Sequence, residues 1–316
     1  MILAGDIGGT NTRLALFSDN LDVLHENAIK NAGRPDLISI IKEFLASTKI
    51  DDAGIDRACF GVAGPVANGH VKPTNLPWEL DERDLSRDLN VPKVALVNDL
   101  VAHAEGVEVL HDDHFVTIIP GEPDPHGNRA VIAAGTGLGE AGMLFDPDIN
   151  GYRAFASEGG HTDFAPRTDQ EFALAKFTQK ERGTATWERV LSGPGLQRIY
   201  RFLRNTDAPD PTPEQIGKSA IAKSDPIAVA ALDLFIHFYA AEAGNLALKL
   251  LATGGVYLSG GIAVSLVDKL KSDAFINSFR DKGPDKLKAM MNKIPVHVVT
   301  LDTCALYGAA NYARRL

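Results

Sequence analysis

The feature that most limits what this chain can fold into is a unit of strand, glycine loop and strand, written twice. Near the N-terminus the apolar run Met1–Ala4 breaks into Gly5-Asp6-Ile7-Gly8-Gly9-Thr10-Asn11-Thr12-Arg13 and resumes as Leu14-Ala15-Leu16-Phe17. In mid-chain, Ala130-Val131-Ile132-Ala133-Ala134 leads into Gly135-Thr136-Gly137-Leu138-Gly139 and then Ala141-Gly142-Met143-Leu144-Phe145. In both copies the glycines join strand to strand. Dinucleotide and Walker loops open a helix instead, and the Walker lysine is absent. The expectation is a hairpin whose backbone N–H groups and hydroxyls face an anion. Asp6, Gly8, Gly9, Thr10 and Asn11 are the phosphate-binding candidates of the first copy, and Gly135, Thr136 and Gly137 those of the second. Repetition implies a domain built twice, with a cleft between the copies that a nucleotide would bridge.

A second abrupt change lies at Val94-Ala95-Leu96-Val97-Asn98-Asp99. Four apolar residues fit a strand buried on both faces, and the Ala-, Leu- and Val-rich segment after Asp99 fits a helix starting there. Asn98 and Asp99 then stand at the carboxyl end of a strand, where open α/β sheets bind ligands. Taken alone, Asp99 is a helix N-cap, a position that Asp favours.

The remaining segments supply scaffold. Pro35–Thr48 has apolar residues at helical spacing, with Pro35 suited to the first helical position. Ala58–Ala63 is a buried strand, followed by Gly64-Pro65 and a polar loop ending in Thr74-Asn75-Leu76-Pro77-Trp78, a turn with an aromatic plug. His111–Asn128, with its prolines and acids, marks a boundary. Pro226 to Leu251 is a core helix, Val296–Val299 a strand and Thr303–Arg315 a closing helix. Val256-Tyr257-Leu258-Ser259-Gly260-Gly261 is a strand whose glycine pair admits a flat ring or ribose.

Three polar residues outside the glycine loops invite a ligand. Glu158 and His161, separated by two glycines, can aim at one small polar group because the glycines allow close approach. By itself the segment is equally a surface loop. A zinc site would need further ligands, and no cysteine or second histidine lies at a suitable spacing. Glu188, in Thr186-Trp187-Glu188-Arg189-Val190-Leu191-Ser192-Gly193-Pro194-Gly195, is by helical statistics an exposed helix residue.

Bulk properties exclude several classes. The formal net charge of −9 leaves no basic excess to neutralise nucleic-acid phosphates. No apolar run is expected to reach the ~20 residues that span a bilayer, and Met1 leads directly into Ile-Leu-Ala-Gly-Asp rather than a charged leader. A cytoplasmic location with a small-molecule partner follows as the expectation. The two cysteines, Cys59 and Cys304, sit far apart in apolar segments and suit buried reduced thiols.

Together these residues carry a resemblance. Gly5-Asp6-Ile7-Gly8-Gly9-Thr10-Asn11, Val97-Asn98-Asp99, Gly135-Thr136-Gly137-Leu138-Gly139, Glu158-Gly159-Gly160-His161, Glu188-Arg189-Val190-Leu191-Ser192-Gly193-Pro194-Gly195 and Leu258-Ser259-Gly260-Gly261-Ile262 resemble, in order, the motifs of the bacterial glucokinase family. The cysteine-rich zinc motif of the related repressor/kinase group is missing after Glu158-Gly159-Gly160-His161, which places the resemblance with the plain glucokinases. It implies an α/β, actin-like ATPase (ribonuclease H-like) fold of two domains with an interdomain cleft. The small domain would comprise residues 1–109 plus 300–316, and the large one residues 110–299. It also implies a homodimer.

Carried over residue by residue, the resemblance places glucose contacts at Asn98, Asp99, Glu158, His161 and Glu188, with Asp99 as catalytic base. ATP would lie on the two glycine loops, with its adenosine at Gly260 and Gly261. Mg²⁺ would arrive with ATP and be held through water near Asp6 rather than in a protein cage. Three carboxylates, an amide and an imidazole supply the acceptors and donors that sugar hydroxyls need. Asp99 would take the C6 hydroxyl proton as that oxygen attacks the γ-phosphoryl group, its helix N-terminus keeping it ionised. Lobes hinged about the cleft would close on sugar and expel water. Two alternatives share part of the pattern. A kinase for another hexose or an N-acetylated amino sugar would keep the loops and the base, and a non-enzymatic actin-like structural or sensor protein would keep only the nucleotide loops.

Overall fold

A computed structural model describes residues 1–48, 54–73, 75–204, 206 and 209–316. Thr74, part of the polar loop expected before Trp78, lies outside the described residues. The chain divides into two compact units. The first takes Met1–His114, Ala141–Ala156 and Leu301–Leu316, and the second Phe115–Glu140 and Ser157–Thr300. Residues 141–156 thus group with the N-terminal segment although they lie within the span 110–299.

The strands, in chain order, are β1 (Ile2–Ile7), β2 (Asn11–Phe17), β3 (Val23–Lys30), β4 (Arg57–Val62), β5 (His70–Val71), β6 (Leu80–Asp81), β7 (Lys93–Asn98), β8 (Phe115–Ile119), β9 (Arg129–Ala134), β10 (Leu138–Asp146), β11 (Gly151–Ser157), β12 (Gly255–Ser259) and β13 (Val296–Val299). One sheet runs β3-β2-β1-β4-β7 and the other β11-β10-β9-β12-β13-β8. The first five strands of each follow the same plan. A hairpin around a glycine loop carries a third strand on its outer edge, and two parallel strands continue on its inner side. The repetition in the sequence is therefore a repetition of topology. The second sheet adds β8, antiparallel to β13, so the expected boundary His111–Asn128 contains an edge strand.

In the first unit both faces of the sheet are covered, which is why its strands are nearly continuously apolar. Leu3, Ile7, Leu14, Phe60 and Leu96 pack with Phe44 and Trp78 on one face. Trp78 is the aromatic plug expected of its turn. Ile2, Ala4, Phe17, Cys59 and Val97 pack on the other face against Val101, Ala102, Leu306 and Ala309. Those last residues belong to the helices Asp99–Val109 and Cys304–Arg314. The two helices cross at small residues: a β carbon at Gly106 would overlap Cys304 O, and one at Gly308 would overlap Ala102 O. Strand alternation puts Asp6 on the same face as Ile2 and Ala4, under these helices. The helix Leu37–Ser47 starts later than expected, because Asp36 caps it through Ser39 N–H and Pro35 precedes the cap.

The second unit is built around the helix Pro226–Leu250. At 25 residues it is long and apolar enough by composition to cross a membrane, contrary to the expectation that no run approaches that length. Its role in this fold is internal: Leu232, Phe235, Phe238 and Tyr239 are buried in the unit's core with Ile132, Leu258 and Phe275. The run looks short in the sequence because Asp233, His237, Glu242 and Lys249 interrupt it at helical intervals.

Candidate active site

The first glycine loop is narrower than its motif. β1 continues through Gly5-Asp6-Ile7 and β2 begins at Asn11, leaving Gly8–Thr10 as the turn. Gly8 N–H donates to Asn11 O at 3.0 Å. Gly9, Thr10 and Asn11 are exposed, as a ligand-facing loop requires. Gly5 has a packing role: a β carbon there would lie 2.5 Å from the Phe60 ring. Asn31, just past β3, fastens the loop from outside. Its Nδ2 donates to Gly8 O at 2.7 Å, its Oδ1 accepts from Thr12 Oγ1 at 2.8 Å, and its backbone N–H donates to Thr10 O at 2.9 Å.

Asp6 closes β1 beneath that turn. Burial pushes its carboxyl up, with His103 and Arg13 acting in the opposite sense, and burial pushes the His103 imidazole down against the pull of Asp6. His103 lies one helical turn beyond Asp99, and Arg13 pairs with Asp6 across the β1–β2 ladder. The sequence reading assigned neither residue a role. The i, i+4 spacing of Asp99 and His103 is the signal that was available.

β1, β4 and β7 are parallel and in register, with Ile7 opposite Val62 and Val62 opposite Asn98. Their carboxyl ends therefore bring the first glycine loop, the Gly64 turn and Asn98-Asp99 to one edge of the sheet. Asn98 supplies the helix cap: its Oδ1 accepts from Leu100 N–H at 2.9 Å, while its Nδ2 donates to Gly64 O at 3.2 Å. Asp99 is the first helical residue, so the cap assigned to Asp99 belongs to its neighbour. The Asp99 carboxylate shares the Leu100 N–H at 3.0 Å and remains partly exposed.

In the second unit, β9 and β12 are parallel neighbours with Ala133 opposite Ser259. Their carboxyl ends set the turn Gly135–Gly137 beside Gly260 and Gly261. Gly260 has φ +87 and a β carbon there would lie 3.0 Å from Ala134 O, so this position demands glycine on both counts. The turn itself is closed by Gly135 N–H donating to Gly137 O at 2.8 Å, and Gly139 already belongs to β10.

Glu158 precedes one turn of 3₁₀ helix, Gly159–His161, and His161 ends it. His161 Nε2 lies 3.8 Å from Glu158 Oε2, and both side chains are about 60% exposed. The intervening glycines are required by packing. A β carbon on Gly159 would overlap Glu140 Oε2, and one on Gly160 would overlap Leu138 O. Trp187 N–H donates to Thr162 O at 3.0 Å, tying this loop to the helix Trp187–Val190 that carries Glu188. Glu188 in turn accepts from Leu138 N–H at 3.1 Å. Leu138 is thus the common neighbour of the Glu158–His161 loop, Glu188 and the second glycine turn.

Behind Gly159 is a buried charged group that no motif announced. Glu140 is 1% exposed, and burial, reinforced by the Glu242 charge, pushes its carboxyl up to about 8. Glu242 is bonded to Lys249 and Asn245, and Asn245 Oδ1 accepts from Lys282 Nζ. Both cysteines are buried and unpaired, as expected, with the Cys304 thiol pushed up to about 12 by burial.

The glucokinase family model matches residues 3–316. The chain belongs to the glucokinase family. The glucokinase of Nostoc sp. strain PCC 7120 is 38% identical over 345 residues, covering 100% of this chain and 99% of the relative. Among solved structures, a glucokinase from an Antarctic psychrotroph matches with TM-score 0.86 and 29% identity over 100% of this chain and 99% of its own. The glucokinase of Balamuthia mandrillaris, solved in complex with glucose, matches with TM-score 0.80 and 26% identity over 99% of this chain and 93% of its own. The fold of this chain is the expected actin-like ATPase fold, and its family is one of ATP-dependent phosphotransferases.

Proposed function

We propose how this glucokinase, which transfers a phosphoryl group from ATP to glucose to give glucose 6-phosphate and ADP, divides the reaction among its residues. Asp99 is the general base. It accepts the proton of the C6 hydroxyl as that oxygen attacks the γ-phosphorus, and the bond to the bridging oxygen breaks with ADP as leaving group. The observation that carries this assignment is the position of Asp99 at the carboxyl end of β7, with Asn98 providing the cap. Capping by Asn98 therefore does not account for the acid that follows it.

Asn98, Glu158, His161 and Glu188 hold the sugar hydroxyls. A ring of such groups rejects sugars that misplace a hydroxyl, because its own donors and acceptors would go unmatched. The turns at Gly8–Asn11 and Gly135–Gly137 take the phosphates on backbone N–H groups, and Gly260 and Gly261 make room for the adenosine.

Among the described residues no cluster of three or more His, Cys, Asp or Glu side chains could cage a metal. Mg²⁺ needs no such cage, since it commonly binds through one carboxylate, water and nucleotide phosphates. Asp6 is the residue proposed to hold it, since a half-buried carboxylate raised by desolvation gains from a cation beside it. Bound there, Mg²⁺ supplies charge neutralisation to the phosphates. The enzyme works in the cytoplasm as a homodimer; the unpaired buried thiols of Cys59 and Cys304 suit a reducing compartment.

A coupled assay with Mg-ATP over a panel of hexoses tests the substrate, glucose being expected to give the highest kcat/KM. Asp99→Asn should retain glucose binding and lose at least ~100-fold in turnover; a loss under about tenfold removes the base role. Sedimentation analysis tests the dimer.

A further inference from the structure

The second glycine turn is held from behind by the segment that follows Trp187. Leu138 N–H, the first backbone donor after the turn, goes to Glu188 Oε2 at 3.1 Å. At the other end of the segment, Gly193 N–H donates to Gly135 O at 2.8 Å. Ser192 joins the two anchors: its Oγ donates to Glu188 O at 2.7 Å and accepts from Gly195 N–H at 3.1 Å. The fit leaves no slack. A β carbon at Gly137 would lie 2.6 Å from Glu188 Oε2, and one at Gly195 would lie 2.6 Å from Val190 C.

We propose that Glu188 serves both substrates: besides meeting the sugar, its carboxylate holds the second glycine turn in the shape that receives the nucleotide phosphates, and Glu188–Gly195 is the clamp on that turn. The inference rests on the assignment of Gly135–Gly137 to the nucleotide and of Glu188 to the sugar. An anion beside a phosphate loop repels the ligand unless it is aimed away from it. Here it is aimed at Leu138 N–H, on the β10 side of the turn. One N–H uses one of a carboxylate's roughly four acceptor positions, leaving others for sugar hydroxyls. Since one carboxylate touches both places, sugar and nucleotide affinity are coupled through it. This also explains why Glu188, Ser192, Gly193 and Gly195 stand together in sequence: they build one clamp rather than separate contacts.

The test is the affinity of glucose-free enzyme for AMPPNP with Mg²⁺, measured by calorimetry, a readout that a contact made only to sugar would not move. Glu188→Ala, which removes the acceptor, should weaken binding about fivefold or more, while Glu188→Gln, whose amide oxygen can still take Leu138 N–H, should stay within about twofold of the parent. Gly137→Ala displaces the carboxylate without removing it and should match Glu188→Ala. In the double variant the two losses should not add. Binding within about twofold for both Glu188→Ala and Gly137→Ala overturns the proposal. If Glu188→Ala fails to fold, Gly137→Ala decides by the same limits. Glucose affinity measured without nucleotide separates the two readings: weakened AMPPNP binding with unchanged glucose binding keeps the clamp and removes Glu188 from the sugar site.

Discussion

Gly159 lies directly against the Glu140 carboxyl, with no room between them for a methyl group. Gly159→Ala should therefore shift the Glu158–His161 loop and strain the buried acid. Overpacking of this kind costs about 1–3 kcal/mol. Thermal unfolding should show the loss, and the KM for glucose should rise more than the KM for ATP. A variant with parental melting temperature and parental glucose KM would contradict the packing seen here.

The same acid makes stability depend on pH. The Glu140 carboxyl is raised from 4.5 to about 8, first by burial and then by Glu242. Between these values the folded state keeps a proton that the unfolded chain releases. Stability from this group is therefore full below pH 4.5 and falls as pH rises to about 8. Glu140→Gln should flatten that fall, as followed by urea unfolding at a series of pH values; an unchanged slope would refute the assignment. Lys282 is lowered from 10.5 to about 8, and in that higher window stability rises with pH, so the two contributions have opposite signs and meet near pH 8.

Asn98→Ala should remove the helix cap, at a cost of about 1 kcal/mol, and leave Gly64 O without its amide donor. Asn98→Asp keeps an acceptor for Leu100 N–H and loses only the donor to Gly64. Chemical denaturation should rank the parent above Asn98→Asp, and Asn98→Asp above Asn98→Ala. Equal stability of all three would mean that the cap is dispensable.

Asn31→Ala takes away both side-chain bonds that brace the first glycine turn. With Asn31 serving the turn alone, the KM for ATP should rise severalfold while the KM for glucose stays near the parental value. Equal increases in both would instead indicate a general loosening of the first sheet.

Much of the site was legible because buried strands announce their ends. The apolar runs that stop at Ala4, Val97, Ala134 and Leu258 lie just before the carboxyl edges where the proposed site residues stand. β3 and β11 were not legible, since only Ile29 in the one and Tyr152 in the other are buried, and a strand with one buried side chain has no alternation to detect. Asn31 was invisible for the same reason, its partners being defined by the β2–β3 pairing. The choice between Asn98 and Asp99 as cap is also beyond the sequence, because adjacent Asn and Asp have nearly equal capping preference and only backbone geometry separates them. The packing role of Gly159 and Gly160 was not legible, because a glycine pair does not reveal which neighbour needs the space.

The crossing of Asp99–Val109 with Cys304–Arg314 at Gly106 and Gly308 has a consequence for the order in which the chain is made. The strand β1 has Ile2 and Ala4 covered by residues made much later in synthesis, among them Leu306 and Ala309. The whole of the second unit, Phe115–Glu140 and Ser157–Thr300, is translated before that cover exists. The N-terminal sheet must therefore wait, that face covered only in part by residues such as Val101 and Ala102, until Cys304–Arg314 is made, and a stop codon before Cys304 would leave the rest of it open to aggregation.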